Sequence, residues 1–281
     1  MPNYGYHLAR AEGNGIRQLY RALLPKIVRR PVDPPRSVAL RVFTYSDEKS
    51  LPEQVASIRS FLRHVGRPES FTVVSDGSHS DRSVRLLELV DPVVSVRPAG
   101  QRLPENLPAR FRHYVTTYPM GKQLGLLVSL PADAPALYLD SDVLFFSGAA
   151  DLLRYSSARD ISAFYLEDCK TSSADARLFH EPGEKLRPVN CGALLFFKNL
   201  DWSLGIRRFL ELEGEPNFFT NQTIAHLVLH ANDARSFDRS KYVVQLDDQF
   251  VFRDHYAGDK LALRHYVNPV RHKFWTTLWR T

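Results

Sequence analysis

Ala136-Leu137-Tyr138-Leu139-Asp140-Ser141-Asp142-Val143-Leu144-Phe145-Phe146 is the stretch whose reading decides the fold. A short apolar run stops at two aspartates spaced i, i+2, and apolar character then resumes. The run reads as a buried strand, and carboxylates at the end of such a strand are costly to desolvate without a partner. A divalent cation bridged to a substrate pyrophosphate would be one, because hard cations take oxygen ligands. The ordinary alternative is a solvated turn, where Asp and Ser are common residues.

Working outward, Val38–Tyr45 predicts a strand ending at Thr44-Tyr45-Ser46-Asp47, and Leu51, Val55, Ile58, Phe61, Leu62 and Val65 predict the helix after it. Phe71–Ser75 and Val93–Val96 read as further strands around a helix over Asp81–Leu89. Residues 120–130 form the helix that leads to the Asp-X-Asp strand. Downstream, strands are predicted at Ile161–Leu166, Ala193–Phe197, Tyr242–Leu246 and Leu261–Tyr266. Helices are predicted at Leu204–Leu212, Asn221–Leu229 and Val270–Trp279. This alternation implies an α/β fold with a mostly parallel sheet flanked by helices. Ligands of such sheets bind beyond the carboxyl ends of the strands, where Asp140 and Asp142 fall.

The chain has 281 residues, 44% of them hydrophobic, which is ample for a core. Its net charge of +6 is uneven. Residues 1–36 hold seven basic side chains and two acidic ones, leaving the body nearly neutral. A neutral body argues against a broad nucleic-acid face. Residues 1–36 therefore read as a basic amino-terminal segment with a stiff Pro31–Pro35 linker, and residues 37–281 as one domain. Within residues 14–30, Ile16, Leu19, Tyr20, Leu23, Leu24, Ile27 and Val28 recur at helical spacing among basic residues, with a break or bend at Pro25. Such a helix either covers its own domain or lies on an anionic membrane. Met1–Tyr6 lacks the apolar block of a secretory signal, so the expected location is cytoplasmic, with peripheral contact on the inner face of a membrane as an option. Cys191, inside an apolar run, reads as a small buried hydrophobe, and two cysteines fit a reducing compartment.

Four more segments join the Asp-X-Asp. They are His265-Tyr266-Val267-Asn268-Pro269-Val270-Arg271-His272-Lys273-Phe274-Trp275, Asn190-Cys191-Gly192 before an apolar strand, Asn221-Gln222 at a helix start, and Lys122 on the preceding helix. Together, in their order along the chain, they resemble the family-8 retaining glycosyltransferases, which include glycogenin and bacterial lipopolysaccharide galactosyltransferases. The resemblance implies the GT-A nucleotide-diphospho-sugar transferase fold. It implies Mn²⁺ or Mg²⁺ held by Asp140, Asp142 and His265; an imidazole suits manganese better. It places Arg271 on the diphosphate, Lys122 and Asn221 on the donor, Asn190 and Gly192 along the sugar pocket, and Gln222 facing the anomeric carbon. Asn268 stands where the family has Gly, a mild change because Asn tolerates left-handed backbone. His272 for the family's Pro, a Trp two residues late and Asn221 for its Asp are further departures. For Asn190-Cys191-Gly192 a plain turn into a buried strand remains open, as does a solvated role for Lys122. Asp247-Asp248 reads as acceptor loop or turn, without a metal role.

The implied activity is transfer of a sugar from a nucleotide-diphosphate sugar, UDP-linked, to a glycan, lipid-linked or other hydroxyl acceptor, with retention of configuration. The competing readings are a non-catalytic nucleotide-sugar-binding scaffold and a metal-dependent nucleotidyltransferase.

Overall fold

A computed structural model describes residues 3–100, 103–131, 133–156 and 160–280. The apolar segments of the first half become four parallel strands, β1 (Ser37–Ser46), β2 (Arg67–Ser75), β3 (Val94–Pro98) and β4 (Ala136–Asp140). They alternate with helices α2 (Leu51–His64), α3 (Asp81–Glu88), α4 (Ala109–Thr117) and α5 (Pro119–Val128), and α1 (Tyr4–Ile27) precedes them. Three strands extend the sheet past β4, namely β6 (Ala163–Glu167), β7 (Val189–Phe196) and β8 (Arg235–Ser236). The seven-stranded order is β3-β2-β1-β4-β7-β6-β8, and β7 alone runs against its neighbours. A separate three-stranded sheet has β10 (Leu263–His265) between β5 (Val143–Phe145) and β9 (Tyr242–Val243). Helices α6 (Leu152–Ser156), α7 (Ser203–Glu211), α8 (Thr220–Ala231) and α9 (Lys273–Arg280) complete the fold.

Strand β4 is buried on both faces, which is why its sequence is an unbroken apolar run. Its alternate residues serve different cores. Leu137 and Leu139 join the cluster containing residues of α2 and α3, whereas Ala136 and Tyr138 join the cluster of α4, α5 and α8. The stretch 136–146 does not continue as one strand. Asp140 ends β4 in the large sheet, and Val143 opens β5 in the small one. The two aspartates thus mark the change of sheet.

Helix α1 runs unbroken through Pro25, with the Val28 amide still donating to the Leu24 carbonyl (3.0 Å). Proline lacks only its own donor, and only a short stretch of helix follows it. The helix packs along its own domain. A Cβ on Gly13 would collide with the His272 carbonyl oxygen, so helix backbone and the turn before α9 are in direct contact. The Tyr20 ring lies 5.1 Å from that of Trp275, and Leu24 and Val28 are in the core. The apolar stripe that could have faced a membrane is therefore turned inward. Leu19, 47% exposed, is left outside. No helix among the described residues is long and apolar enough to cross a membrane.

Asp247 and Asp248, read from sequence as acceptor loop or turn, do lie in a turn, and Asp248 is in addition a buried counter-ion. Its carboxylate accepts hydrogen bonds from Arg264 (3.0 and 3.2 Å) and Lys273 (2.9 Å), both fully buried. Arg264 also pairs with Asp254 and lies between the rings of Tyr256 and Tyr266 at 5.1 and 4.9 Å. Neighbouring Asp247 accepts from the Tyr256 hydroxyl at 2.8 Å. Removing one partner of a buried ionic cluster strands the others without solvent. Asp248→Ala is therefore expected to destabilise the protein by about 3–5 kcal/mol. Urea denaturation measures this, and a loss under about 1 kcal/mol, typical of exposed pairs, would contradict the assignment.

Candidate metal centre and adjoining cavity

The junction between the sheets assembles three metal-ligating side chains. β10 pairs antiparallel with β5 so that His265 stands opposite Val143, next to Asp142. The Tyr266 amide donates to the Asp142 carbonyl at 2.9 Å and fixes that register. His265 Nε2 lies 3.0 Å from Asp142 Oδ1 and 3.5 Å from Asp140 Oδ2. Ligand atoms of Asp140, Asp142 and His265 all lie within 4.8 Å of one another. Adjacent oxygens around an octahedral cation with bonds of about 2.1 Å sit about 3 Å apart, so this donor set fits a hard divalent ion with modest adjustment.

Each ligand is oriented by a second group. Asp140 Oδ1 accepts from the Tyr138 hydroxyl (2.6 Å) and the Gln123 amide (2.8 Å), leaving Oδ2 toward His265. Gln123 also donates to the Tyr138 oxygen (2.7 Å) and accepts from Asn221 (2.6 Å). His265 Nδ1 lies 2.7 Å from Asn190 Oδ1, which can only accept, so the ring proton sits on Nδ1 and Nε2 faces the carboxylates. Asn190 is itself fixed by donating to Asp168 (2.9 Å) and accepting from the Gly192 amide (2.9 Å).

Backbone geometry at β7 makes this possible. Tyr165 pairs with Leu194, but the next residue, Leu166, pairs with Asn190, so residues 191–193 form a bulge. Because β7 is antiparallel, Ala193 stands opposite Leu139, and the bulge lies beside the end of β4. A Cβ on Gly192 would collide with the His265 ring at Nδ1. The space beside Gly192 therefore belongs to the imidazole, whereas the family resemblance assigns it to the donor sugar.

The electrostatics follow from burial with unlike neighbours. Burial alone would raise Asp142, but His265 and Arg271 outweigh it and hold the carboxyl well below the usual range. Burial dominates at Asp140 and raises it against the pull of His265. For His265, burial disfavours charge, but the two aspartates prevail and raise its pKa.

The other expected residues are placed as follows. Arg271 Nη2 contacts Asp142 Oδ2 at 2.5 Å. Lys122 donates to the Asp76 carbonyl at 3.1 Å, beyond the end of β2. Gln222 donates to the Ser173 carbonyl at 2.8 Å. Asn221 touches the site through Gln123, and its Oδ1 is buried without a partner among the described residues. Asn268 does not use left-handed backbone, which among described non-glycine residues occurs at Arg187 and Asp233. Tyr138 and Gln123 escape a reading of the sequence alone. The signals are present: Tyr138 is two residues before Asp140 on the same strand face, and Gln123 is a lone amide in an apolar helix.

A cavity of about 580 Å³ opens beside Asp142. Ser141, Asn268, Arg271 and His272 line one side, the Asp47–Glu53 turn another, and α1 a third.

A mostly parallel sheet carrying an Asp-X-Asp at its carboxyl edge defines the GT-A class of fold, the one that the motifs led us to expect. Among solved structures, the chain is similar to the bifunctional glycosyltransferase WbbM (TM-score 0.57, 14% identity, 90% of this chain and 51% of that one). It is also similar to the galactosyltransferase LgtC in complex with donor and acceptor sugar analogues (TM-score 0.53, 14% identity, 85% and 95% covered). Mouse xyloside xylosyltransferase 1 is a third (TM-score 0.54, 11% identity, 84% and 99% covered). The chain spans about half the length of WbbM, and at these identities the likeness is one of fold. No family model and no curated protein matches it in sequence.

Gly192→Ala is expected to displace His265 and weaken Mn²⁺ binding by about 10–100-fold, the usual cost of disturbing an outer-shell support. Calorimetric titration tests this, and unchanged affinity would show that the ring does not depend on the bulge. Protons compete with the cation for His265. With its pKa raised, Mn²⁺ affinity should already be falling as pH drops from about 8 toward 6. Affinity flat over that range would remove His265 from the ligand set.

Proposed function

We propose that this protein is a metal-dependent glycosyltransferase that moves a sugar from a nucleotide-diphosphate sugar, UDP-linked, to a hydroxyl of a glycan or lipid-linked acceptor, with retention of configuration. The observation that carries the reading is the Asp140–Asp142–His265 cluster at the strand ends of a GT-A fold, beside a cavity lined by Arg271. Asp140, Asp142 and His265 would hold Mn²⁺ or Mg²⁺, which when bound supplies a Lewis acid for the departing diphosphate. Tyr138, Gln123 and Asn190 keep the ligands aimed and the His265 tautomer fixed, so little reorganisation is needed as charge develops. Arg271, 52% exposed at its side chain, is long enough to exchange Asp142 for a phosphate oxygen, where its planar fork suits bidentate contact. Asn221 offers an unpartnered buried oxygen to a sugar hydroxyl. Gln222 and Lys122 take the anomeric-carbon and donor-binding roles that the family resemblance implies. No side chain is assigned as nucleophile.

A panel of UDP-sugars incubated with Mn²⁺ tests the reading through donor hydrolysis and nucleoside diphosphate release. Wild-type protein should turn over at least one donor, and chelation should stop it. Asp142→Asn should retain its fold but lose at least about 100-fold in rate, since several kcal/mol of charge stabilisation depend on the cluster. Release of sugar 1-phosphate in place of nucleoside diphosphate would identify a nucleotidyltransferase. Binding without turnover of any donor would identify a scaffold.

A further inference from the structure

Helix α1 shows the cavity a polar face. Tyr6, Arg10, Asn14 and Arg17, spaced at four, four and three residues, fall on one side of the helix and line the space beside Asp142 and Arg271. The opposite requirement, packing on the domain, is met by Ala9, Gly13, Tyr20 and Leu24.

Arg17 is an anchor. It donates to both Glu53 oxygens (2.5 and 3.0 Å) and to the Lys49 carbonyl (2.6 Å). Glu53 also accepts from the Trp275 indole at 3.1 Å, so α1, α2 and α9 are tied at one buried carboxylate. The hydrogen bonds that Arg17 donates to Glu53 hold its guanidinium charged against burial and, to a lesser degree, the repulsion of Arg271. Arg10, two turns away, has no hydrogen bond or ion pair among the described residues.

Among the cavity's cations, Arg17 is matched by Glu53 and Arg271 by Asp142, whereas Lys49 and Arg10 have no ion pair among the described residues. Arg10 is the guanidinium left over. A nucleotide sugar's diphosphate carries two negative charges, and it would join those of Asp140 and Asp142. A divalent ion, Arg271 and Lys122 balance these, and bond cleavage adds a further negative charge to the leaving group.

We propose that α1 is the outer wall of the nucleotide pocket and that Arg10 binds the diphosphate from the side opposite Arg271. This rests on the glycosyltransferase reading above. A binding residue on a segment preceding the first strand of the fold would make α1 part of the donor site as well as a cover for the core.

The test is calorimetric titration of the full chain, with Mn²⁺ present, using UDP, GDP and ADP and the matching nucleosides. Arg10→Ala should weaken the best-bound diphosphate by about ten-fold, with Arg10→Lys intermediate and Arg10→Glu worse. Nucleoside affinity should be unchanged, and added salt should weaken diphosphate binding less steeply in Arg10→Ala than in wild type. Wild-type binding that Arg10→Ala leaves intact would overturn this inference alone. An equal loss for nucleoside would mean a displaced helix and would also overturn it. Absence of diphosphate binding by the wild-type protein would overturn both this inference and the function on which it rests.

Discussion

The structure is organised around one buried carboxylate. Asp142 sits where the chain leaves the large sheet for the small one, with almost no access to solvent. A carboxylate so placed must be partnered, because an uncompensated buried charge costs more than most single contacts return. Its partners come from more than 120 residues downstream, His265 at one oxygen and Arg271 at the other. To bring them there, β10 must lie antiparallel on β5. To seat the imidazole, β7 must bulge and present a glycine. The arrangement of both sheets thus answers a local electrostatic demand.

Much of this is legible without coordinates. The apolar run into Asp140 and Asp142 announces a strand end because polarity changes there so sharply, and the alternation of strand and helix announces a parallel sheet. Other parts are hidden for physical reasons. An apolar strand has the same composition in either direction, so nothing in Val189–Phe196 says that β7 runs backwards. Tyr138 looks like any strand aromatic until its hydroxyl is seen on Asp140, and an aromatic near a carboxylate has no spacing of its own to betray it. An amphipathic helix has one pattern whether it faces lipid or protein, and the contacts of Gly13 with His272 and of Tyr20 with Trp275 separate the two for α1. Helix α4 is absent from the sequence-based expectations, although Phe111, Tyr114 and Val115 bury its inner face. Asp248 has the look of a polar loop because its counter-ions, Arg264 and Lys273, are distant in sequence.

The buried Asp248–Arg264–Lys273 cluster bears on the site indirectly. Arg264 immediately precedes His265, and Lys273 follows Arg271 by two residues. Fixing both ends of that segment limits where His265 and Arg271 can go. Rigidity of supporting residues is what keeps a ligand set ready for its ion. Burial of three charges is thus compatible with a site that must not wander.

The order in which the parts emerge during synthesis gives the packing of α1 on α9 a meaning in time. Helix α1 is made before every strand of the fold, yet its docking surface, the turn at His272 and the ring of Trp275, is made after all of them. Domains generally acquire structure from the amino-terminal side as they are translated. During that interval α1 presents an unburied apolar stripe and a set of arginines to the surroundings of the ribosome. Two of the three side chains that could hold a metal, Asp140 and Asp142, are made long before the third, His265. Completion of the cluster and capture of α1 therefore both wait for the same segment, the one that carries His265, His272 and Trp275.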